Sequence, residues 1–278
     1  MKRACVIGWP IAHSRSPLIH GYWLRQYGID GVYTKEAVKP EDLENFLHAL
    51  RAGGFEGCNV TLPHKEAAFA AASIREPSAL AVGAANTLWF ENERLACANT
   101  DTYGFIANLE ASAPGWQKLS GPILVLGAGG SARAVVYGFL EAGKKDIRIF
   151  NRSLERAQQM AEHFGDGVTA WRWESRNDLV AQAAIIVNTT ILGMNGTGSP
   201  EIDFSNARRD AIATDLVYVP LATEFLKSAR ARGLIAVDGL GMLLHQAVPG
   251  FEKWFGVRPE VTPQLYNLIA KDIGGSRC

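Results

Sequence analysis

Little in this chain would staple, plate or anchor it. Its four cysteines, Cys5, Cys58, Cys97 and Cys278, lie far apart, and none belongs to a CxxC pair or a cysteine–histidine cluster. That spacing argues against a disulfide framework and against any bound metal, and it fits a reducing, cytoplasmic compartment. Long hydrophobic runs are missing as well. The N-terminal stretch ACVIGWPIA is broken by Gly8 and Pro10, so neither a signal peptide nor a membrane span is predicted. Charge of one sign is absent too, because 28 Lys and Arg residues balance 28 Asp and Glu residues. A balanced chain has no field with which to gather nucleic acid or an anionic membrane surface. Its expected partners are small molecules, or a second copy of itself in a homodimer.

What is present is apolar mass. Hydrophobic residues make up 47% of 278 positions, enough to bury sizeable cores, and the length sets an expectation of about two domains. From about residue 120, short β-rich runs alternate with helical ones: PILVLG, SARAVVYGFLEAG, DIRIFN, LERAQQMAEHFG, AAIIVNTT, AIATDLVY, ATEFLKSARARG and LIAVDG. The alternation reads as βαβ units, and the near-continuous Ile/Val/Leu content of the strands suits a parallel sheet covered on both faces. The earlier part also mixes strand candidates (ACVIG, VYTKEAV, GCNVT) with helical ones (SPLIHGYWLRQYG, PEDLENFLHALRAG) and forms a second α/β domain. The boundary is placed near Tyr103, before a helix at YGFIANLEA. Two amphipathic helices, GMLLHQAVPGFEKWFG and TPQLYNLIAKDI, follow the last parallel strand.

The most specific local pattern is ILVLGAGGSARA, a buried strand, a glycine turn and a helix with small residues at its start. Gly127, Gly129 and Ala132 occupy the positions of G-x-G-x-x-G/A, with Ala128, Gly130 and Ser131 between them. The first glycine permits the turn, the second lets backbone approach a pyrophosphate, and the small third residue lets helix and strand pack closely. The helix N-terminus then offers free N–H groups to the phosphates. About twenty residues on, after the second strand, an Asp or Glu would bind the ribose hydroxyl of NAD. Here Asn151 and Arg152 stand instead. A guanidinium pairs with a 2′-phosphate, Arg156 adds a second cation one helical turn on, and Ser153 caps the helix and can donate to the same phosphate. The cofactor read from these residues is NADP(H).

In the first domain, small polar residues cluster beside apolar strands in GWPIAHSRSPLIH, GCNVTLPHKEAA and GAANTLWF…ACANTDTYG, as a site for a polyhydroxylated ligand requires. Ser16 before Pro17 reads as an N-cap, so that a ligand carboxylate can sit at that helix terminus beside Ser14 and Ser16. Lys65 and Asp101 lie at turns, and either can supply the proton that hydride transfer to a ketone needs.

Taken in order, HSRSP, NVTLPHK, GAANT, NTD, GAGGSARA, NRS, NTTILGM, DLVYVP, DGLGMLLHQA and FEKWFGVRP resemble the shikimate dehydrogenase family over almost the whole chain. The resemblance implies a substrate-binding and catalytic domain at residues 1–103, a Rossmann-like doubly wound NADP domain at 104–240, and C-terminal helices at 241–278 that return to the first domain. It implies NADPH-dependent, reversible reduction of 3-dehydroshikimate to shikimate, in the route to chorismate and the aromatic amino acids. Carried onto this sequence, Ser14 and Ser16 hold the substrate carboxylate, and Thr61, Asn86, Asp101 and Gln246 bond its ring hydroxyls. Lys65 is the acid/base group and Tyr218 approaches the substrate. Asn151, Arg152 and Arg156 clasp the adenosine phosphate, while Thr189, Met194, Leu216, Gly239 and Met242 line the nicotinamide side. The chain departs from the family pattern at Gly21, where Asn is usual, at Thr102, where Gly is common, and in the Ser131-Ala132 order. Alternatives are an NAD-preferring quinate/shikimate dehydrogenase, a relative acting on an amino-substituted analogue, and a non-catalytic ligand sensor. Arg152 and Ser16 argue against the first two, and Lys65 with Asp101 against the third.

Overall fold

The computed structural model describes residues 1–274, and Cys278 lies outside them. By its internal contacts the chain divides into two compact units, Met1–Gly104 with Leu244–Ile269, and Phe105–Leu243 with the residues from Ala270 onward. Among the described residues no helix is long and apolar enough to cross a membrane.

The first unit carries, in chain order, β1 (Lys2–Gly8), α1 (Ser16–Gln26), β2 (Gly31–Ala37), α2 (Leu43–Ala49), β3 (Phe55–Val60), α3 (Lys65–Ala71), β4 (Ile74–Arg75), α4 (Pro77–Val82), β5 (Thr87–Glu91), β6 (Arg94–Ala98) and the start of α5 (Asp101–Ser112). Its strands form one mixed sheet ordered β2-β1-β3-β5-β6-β4. Parallel pairing at β1 gives way to antiparallel pairing of β3 with β5 and of β5 with β6. One face of the sheet packs Ile7, Val60 and Leu88 against α2, α3 and α4 through Leu43, Leu47, Ala68 and Ala79. The β5–β6 hairpin turns through Asn92 and Glu93, both with positive φ (48° and 65°), the backbone that a right-twisted two-residue hairpin demands. Its register sets Thr87 opposite Ala98, and β3 brings Asn59 beside Thr87. One end of the sheet therefore gathers the residues on either side of 59, 86 and 100.

The second unit continues with β7 (Ile123–Leu126), α6 (Gly130–Glu141), β8 (Ile147–Asn151), α7 (Leu154–Phe164), β9 (Val168–Arg172), β10 (Ile185–Asn188), β11 (Ile212–Asp215), α8 (Glu224–Ala231), β12 (Ile235–Val237) and α9 (Leu240–His245). Its sheet is ordered β12-β11-β10-β7-β8-β9 with every pairing parallel. Along β7, Ile123 and Val125 enter the cluster that holds Val135, Phe139 and Met160, while Leu124 and Leu126 enter the one that holds Phe225 and Leu226. Alternate side chains of one strand thus bury on opposite faces, which is why parallel strands read as unbroken apolar runs. Strand order reverses between β7 and β10, and at such a switch point ligands bind beyond the carboxyl ends of the strands.

The C-terminal stretch GMLLHQAVPGFEKWFG, expected as one helix, forms two, α9 and α10 (Ala247–Phe255), parted at Gln246. Pro249 has no amide with which to bond back to the His245 carbonyl, so the ladder is interrupted there. Helix α10 packs with α1 and with β1, β3 and β5, and α11 (Pro263–Asp272) is the last helix of the described residues. The segment PEDLENFLHALRAG likewise begins as a short 3₁₀ turn at Pro40–Asp42 before α2.

Candidate active site and dinucleotide cradle

At the polar end of the first sheet, the chain leaves β3 through Thr61 and a cis Leu62–Pro63 peptide and enters α3, whose first residue is Lys65. Asp101 likewise opens α5. Lys65 Nζ donates to Asp101 Oδ2 at 2.6 Å, and Asn86 Nδ2 donates to Asp101 Oδ1 at 2.8 Å. Both carboxylate oxygens are thereby fixed, and the Asp101 amide donates to Asn99 Oδ1 at 3.2 Å. The pair is only partly exposed, at 28% for the Lys65 side chain and 16% for that of Asp101. It is the arrangement required of a proton donor that must be held in place yet reachable by a ligand.

Ser14 and Ser16 form a second polar pair in this unit, their hydroxyls 3.3 Å apart, and the Ser16 amide donates to Ser14 Oγ at 3.3 Å. Ser16 is not an N-cap. Helix α1 starts at Ser16 itself, Arg15 holds the cap position, and no side chain caps the helix. The chain is already helical at Arg15, with ψ −4°, so the Ser16 hydroxyl is not spent on its own helix. Thr61 and Gln246 lie half-buried in the same unit, and half-buried Tyr218 belongs to the other.

The second unit presents the cradle. Gly127 follows β7 with φ +110°, and a Cβ there would stand 2.7 Å from Thr189 Oγ1, so conformation and space both require glycine. Thr189, just beyond β10, donates its hydroxyl to the Leu126 carbonyl at 2.7 Å and ties the two strand ends at the switch point. Gly129 and Gly130 differ from Gly127. Neither has a positive φ, and a Cβ on either would meet no protein atom within 4 Å. The fold does not need glycine at these positions, and the missing side chains leave the backbone there open to approach. The first amide of α6 to bond back is that of Arg133, to the Gly129 carbonyl at 3.1 Å, which leaves the N–H groups of Gly130, Ser131 and Ala132 unspent inside the helix. Ala132 is fully buried against the core, Ala128 is half-buried, and Ser131 is exposed.

At the end of β8, Asn151 Nδ2 donates to the Ser153 carbonyl at 2.9 Å, and Ser153 Oγ accepts from the Arg156 amide at 3.4 Å as the cap of α7. Arg152 and Arg156 are exposed, and neither makes an ion pair among the described residues. Arg172, which the sequence reading missed, ends β9 directly opposite Asn151 and adds a third cation to this edge. The residues expected on the nicotinamide side ring the carboxyl ends of β10, β11 and β12. Met194 is 45% exposed, Leu216 and Met242 pack against the core, and a Cβ on Gly239 would collide with the Leu216 carbonyl.

Below them sits Asp215, a buried carboxylate that sequence reasoning also missed. Its Oδ1 accepts from Asn188 Nδ2 at 2.9 Å and from the Val217 amide at 3.0 Å, and its Oδ2 accepts from Thr223 Oγ1 at 2.7 Å. No cation pairs with it among the described residues, and burial pushes it up to about 6, against the pull of these three donors. Asn188 Oδ1 accepts from the Thr190 amide and hydroxyl. The two side chains therefore bind the loop after β10 to the loop after β11.

A parallel sheet of this order with an open backbone cradle at its switch point, and a separate unit bearing a lysine–carboxylate pair, define a dinucleotide-dependent oxidoreductase. Comparison with known proteins narrows the class. The family model for the shikimate dehydrogenase substrate binding domain matches residues 6–88, that for shikimate / quinate 5-dehydrogenase residues 115–202, and that for the shikimate 5′-dehydrogenase C-terminal domain residues 239–263. The chain is 56% identical over 275 residues to the shikimate dehydrogenase (NADP(+)) of Brucella canis, covering 98% of this chain and 95% of that one. It is also similar to the crystal structure of the Thermus thermophilus shikimate 5-dehydrogenase in complex with NADP(H) and shikimate, at 37% identity and TM-score 0.86, covering 98% and 100% of the two chains. A quinate dehydrogenase from Corynebacterium glutamicum in complex with NAD is 28% identical, with TM-score 0.88 and coverage of 97% and 99%. The chain belongs to the shikimate dehydrogenase family.

Proposed function

We propose that this protein interconverts 3-dehydroshikimate and shikimate with NADP(H), and that Lys65 carries the proton. The observation that carries the proposal is the Lys65–Asp101 pair at 2.6 Å with Asn86 on the other carboxylate oxygen. Family membership and the cation-rich edge at Arg152 support the substrate and the cofactor. Bound NADPH supplies the hydride to the C3 ketone. Lys65 Nζ gives a proton to the oxygen as it becomes an alkoxide, so that a ketone, a hydride and a proton leave as one secondary alcohol. Asp101 steadies the ammonium beforehand and, with Asn86 and Thr61, orients the ring hydroxyls. The Ser14 and Ser16 hydroxyls hold the carboxylate by hydrogen bonds. In the reverse direction neutral Lys65 accepts the hydroxyl proton.

In the other unit, the Gly127–Ala132 turn receives the pyrophosphate, and Arg152 and Arg156 pair with the adenosine 2′-phosphate. Three free, buried cysteines among the described residues support a reducing, cytoplasmic setting. The test is the initial rate of nicotinamide reduction, with shikimate and quinate each crossed with NADP⁺ and NAD⁺. The expected result is dominance of shikimate with NADP⁺. Equal rates with NAD⁺ would remove the role given to Arg152, and turnover of quinate alone would move the protein to the activity named for its Corynebacterium relative.

A further inference from the structure

We propose that Thr87 and Tyr33 are positioning residues for this reaction: a one-way chain of buried hydrogen bonds runs from the Tyr33 phenol through Asn59, Thr87 and Asn86 and holds the Asp101 carboxylate, and through it Lys65, in register for proton transfer. The inference rests on the reaction proposed above.

The direction of each bond follows from its neighbours. Asn59 Nδ2 lies 3.2 Å from the Asn86 backbone carbonyl, which only accepts, so that edge of the amide is its NH₂. The opposite edge is then its carbonyl, and the Tyr33 hydroxyl at 2.6 Å must donate to it. Asn59 Nδ2 also donates to Thr87 Oγ1 at 3.1 Å, which leaves the Thr87 proton for Asn86 Oδ1 or for Thr100 Oγ1, each at 3.1 Å, and because Thr100 passes its own proton to Asn86 Oδ1 both routes end on that oxygen. The same Asn86 oxygen accepts the Thr100 amide at 2.8 Å and the Thr100 hydroxyl at 3.0 Å. With its oxygen so committed, Asn86 turns its NH₂ to Asp101. An Asn86 amide turned over would set a carbonyl against the carboxylate that Lys65 needs.

Tyr33, Asn59, Thr87, Asn86 and Thr100 are all buried, where successive hydrogen bonds polarise one another and a lost member is not replaced by solvent. The far end is closed by His20, whose ring stacks on Tyr33 at 3.9 Å and 7°. Among the described residues both His20 nitrogens lack a hydrogen-bond partner, and burial lowers the imidazole to about 3. A neutral ring used as a flat platform does not compete with Asn59 for the phenol proton. Burial also raises the phenol well above its ordinary value, so it remains a donor.

Thr87→Val keeps the shape and removes the hydroxyl, whereas Thr87→Ser keeps the hydroxyl and removes the methyl. The expected result for shikimate oxidation is a kcat about tenfold lower in Thr87→Val, with KM for shikimate changed less than about threefold, and Thr87→Ser within about twofold of wild type. Tyr33→Phe, which keeps the stack on His20, carries the same expectation for kcat as Thr87→Val and serves if the valine variant does not fold; its KM for shikimate is not part of the test, because the phenol also bonds the Ser16 side chain. A role for the Thr87 methyl alone, packed as it is near Gly250, reverses the order and overturns the proposal. So does an unchanged kcat in Thr87→Val and Tyr33→Phe when the wild type is active. A wild type inert towards shikimate overturns this proposal and the reaction together.

Discussion

Replacing Asp215 with Asn should make the protein more stable at alkaline pH and remove a pH dependence that the wild type shows. Asp215 is 1% exposed, has no cationic partner among the described residues, and titrates at about 6 instead of its ordinary 3.8. Burial is the leading cause. A folded-state value above the unfolded one means that the folded protein holds the proton more tightly. The stabilisation is then complete below the unfolded value and lost as pH rises through about 6. At ~1.4 kcal/mol per unit, the full difference is roughly 3 kcal/mol, of which about 1.4 kcal/mol falls between pH 5 and pH 8. Asparagine keeps two of the three donors and reverses the third bond, as a protonated Asp215 also does. Its Oδ1 can accept from Asn188 and Val217, and its Nδ2 can donate to Thr223 Oγ1, while no charge is buried. The assay is the thermal midpoint of wild type and Asp215→Asn at both pH values. The variant should gain on the wild type by about 3–5 °C more at pH 8 than at pH 5. An offset that is the same at both pH values, or a variant less stable at pH 8, would refute the reasoning, because the cost would then lie in lost hydrogen bonds and not in a buried charge.

Two further substitutions probe the two units separately. Lys65→Ala should lower kcat by about 10²- to 10⁴-fold, the range of a removed general acid, with a much smaller rise in KM for shikimate; steady-state kinetics that show a KM effect alone would move Lys65 from proton transfer to binding. Arg152→Gln should raise KM for NADP⁺ about tenfold, as expected of one charge-assisted phosphate contact at an exposed site, and leave that for NAD⁺ within about twofold. Equal losses with both nucleotides would mean that Arg152 acts on the shape of the α7 N-terminus and not on the phosphate.

The second unit was the more legible of the two because its strands are buried on both faces. ILVL, IIVN and their neighbours need no partner to be recognised as parallel strands. The first unit was harder. Strand β4 has two residues, too few to carry any periodicity, and the β5–β6 hairpin turns on Asn92-Glu93 where Asn-Gly would have announced it. Lys65 and Asp101 stood out as titratable groups at turns. Asn59, Thr87 and Thr100 did not, because an Asn in a short β-rich run shows no sign of what satisfies it until the register of β3, β5 and β6 is known. Asp215 was hidden in the same way inside ATDLVY. A polar residue in the middle of an apolar strand was the available signal, since such a group is buried only with partners.

The two units meet opposite electrostatic demands, and this predicts where substitutions will register. The first must keep a lysine and a carboxylate together where water is scarce. It surrounds them with neutral amides and hydroxyls whose donors and acceptors are already committed, as at Asn59 and Thr100. Removing one such group disturbs alignment in the transition state more than ground-state binding, so the loss should fall on kcat. The second must hold a multiply charged anion and release it. It offers unspent backbone N–H groups at α6 and the exposed Arg152 and Arg156, which have no ion-pair partner among the described residues to give up. Cations held in solvent contribute to affinity and are screened by salt. Raising ionic strength should therefore raise KM for NADP⁺ while leaving kcat on shikimate nearly unchanged, a separation that would not arise if the charged groups of the two units served one common purpose.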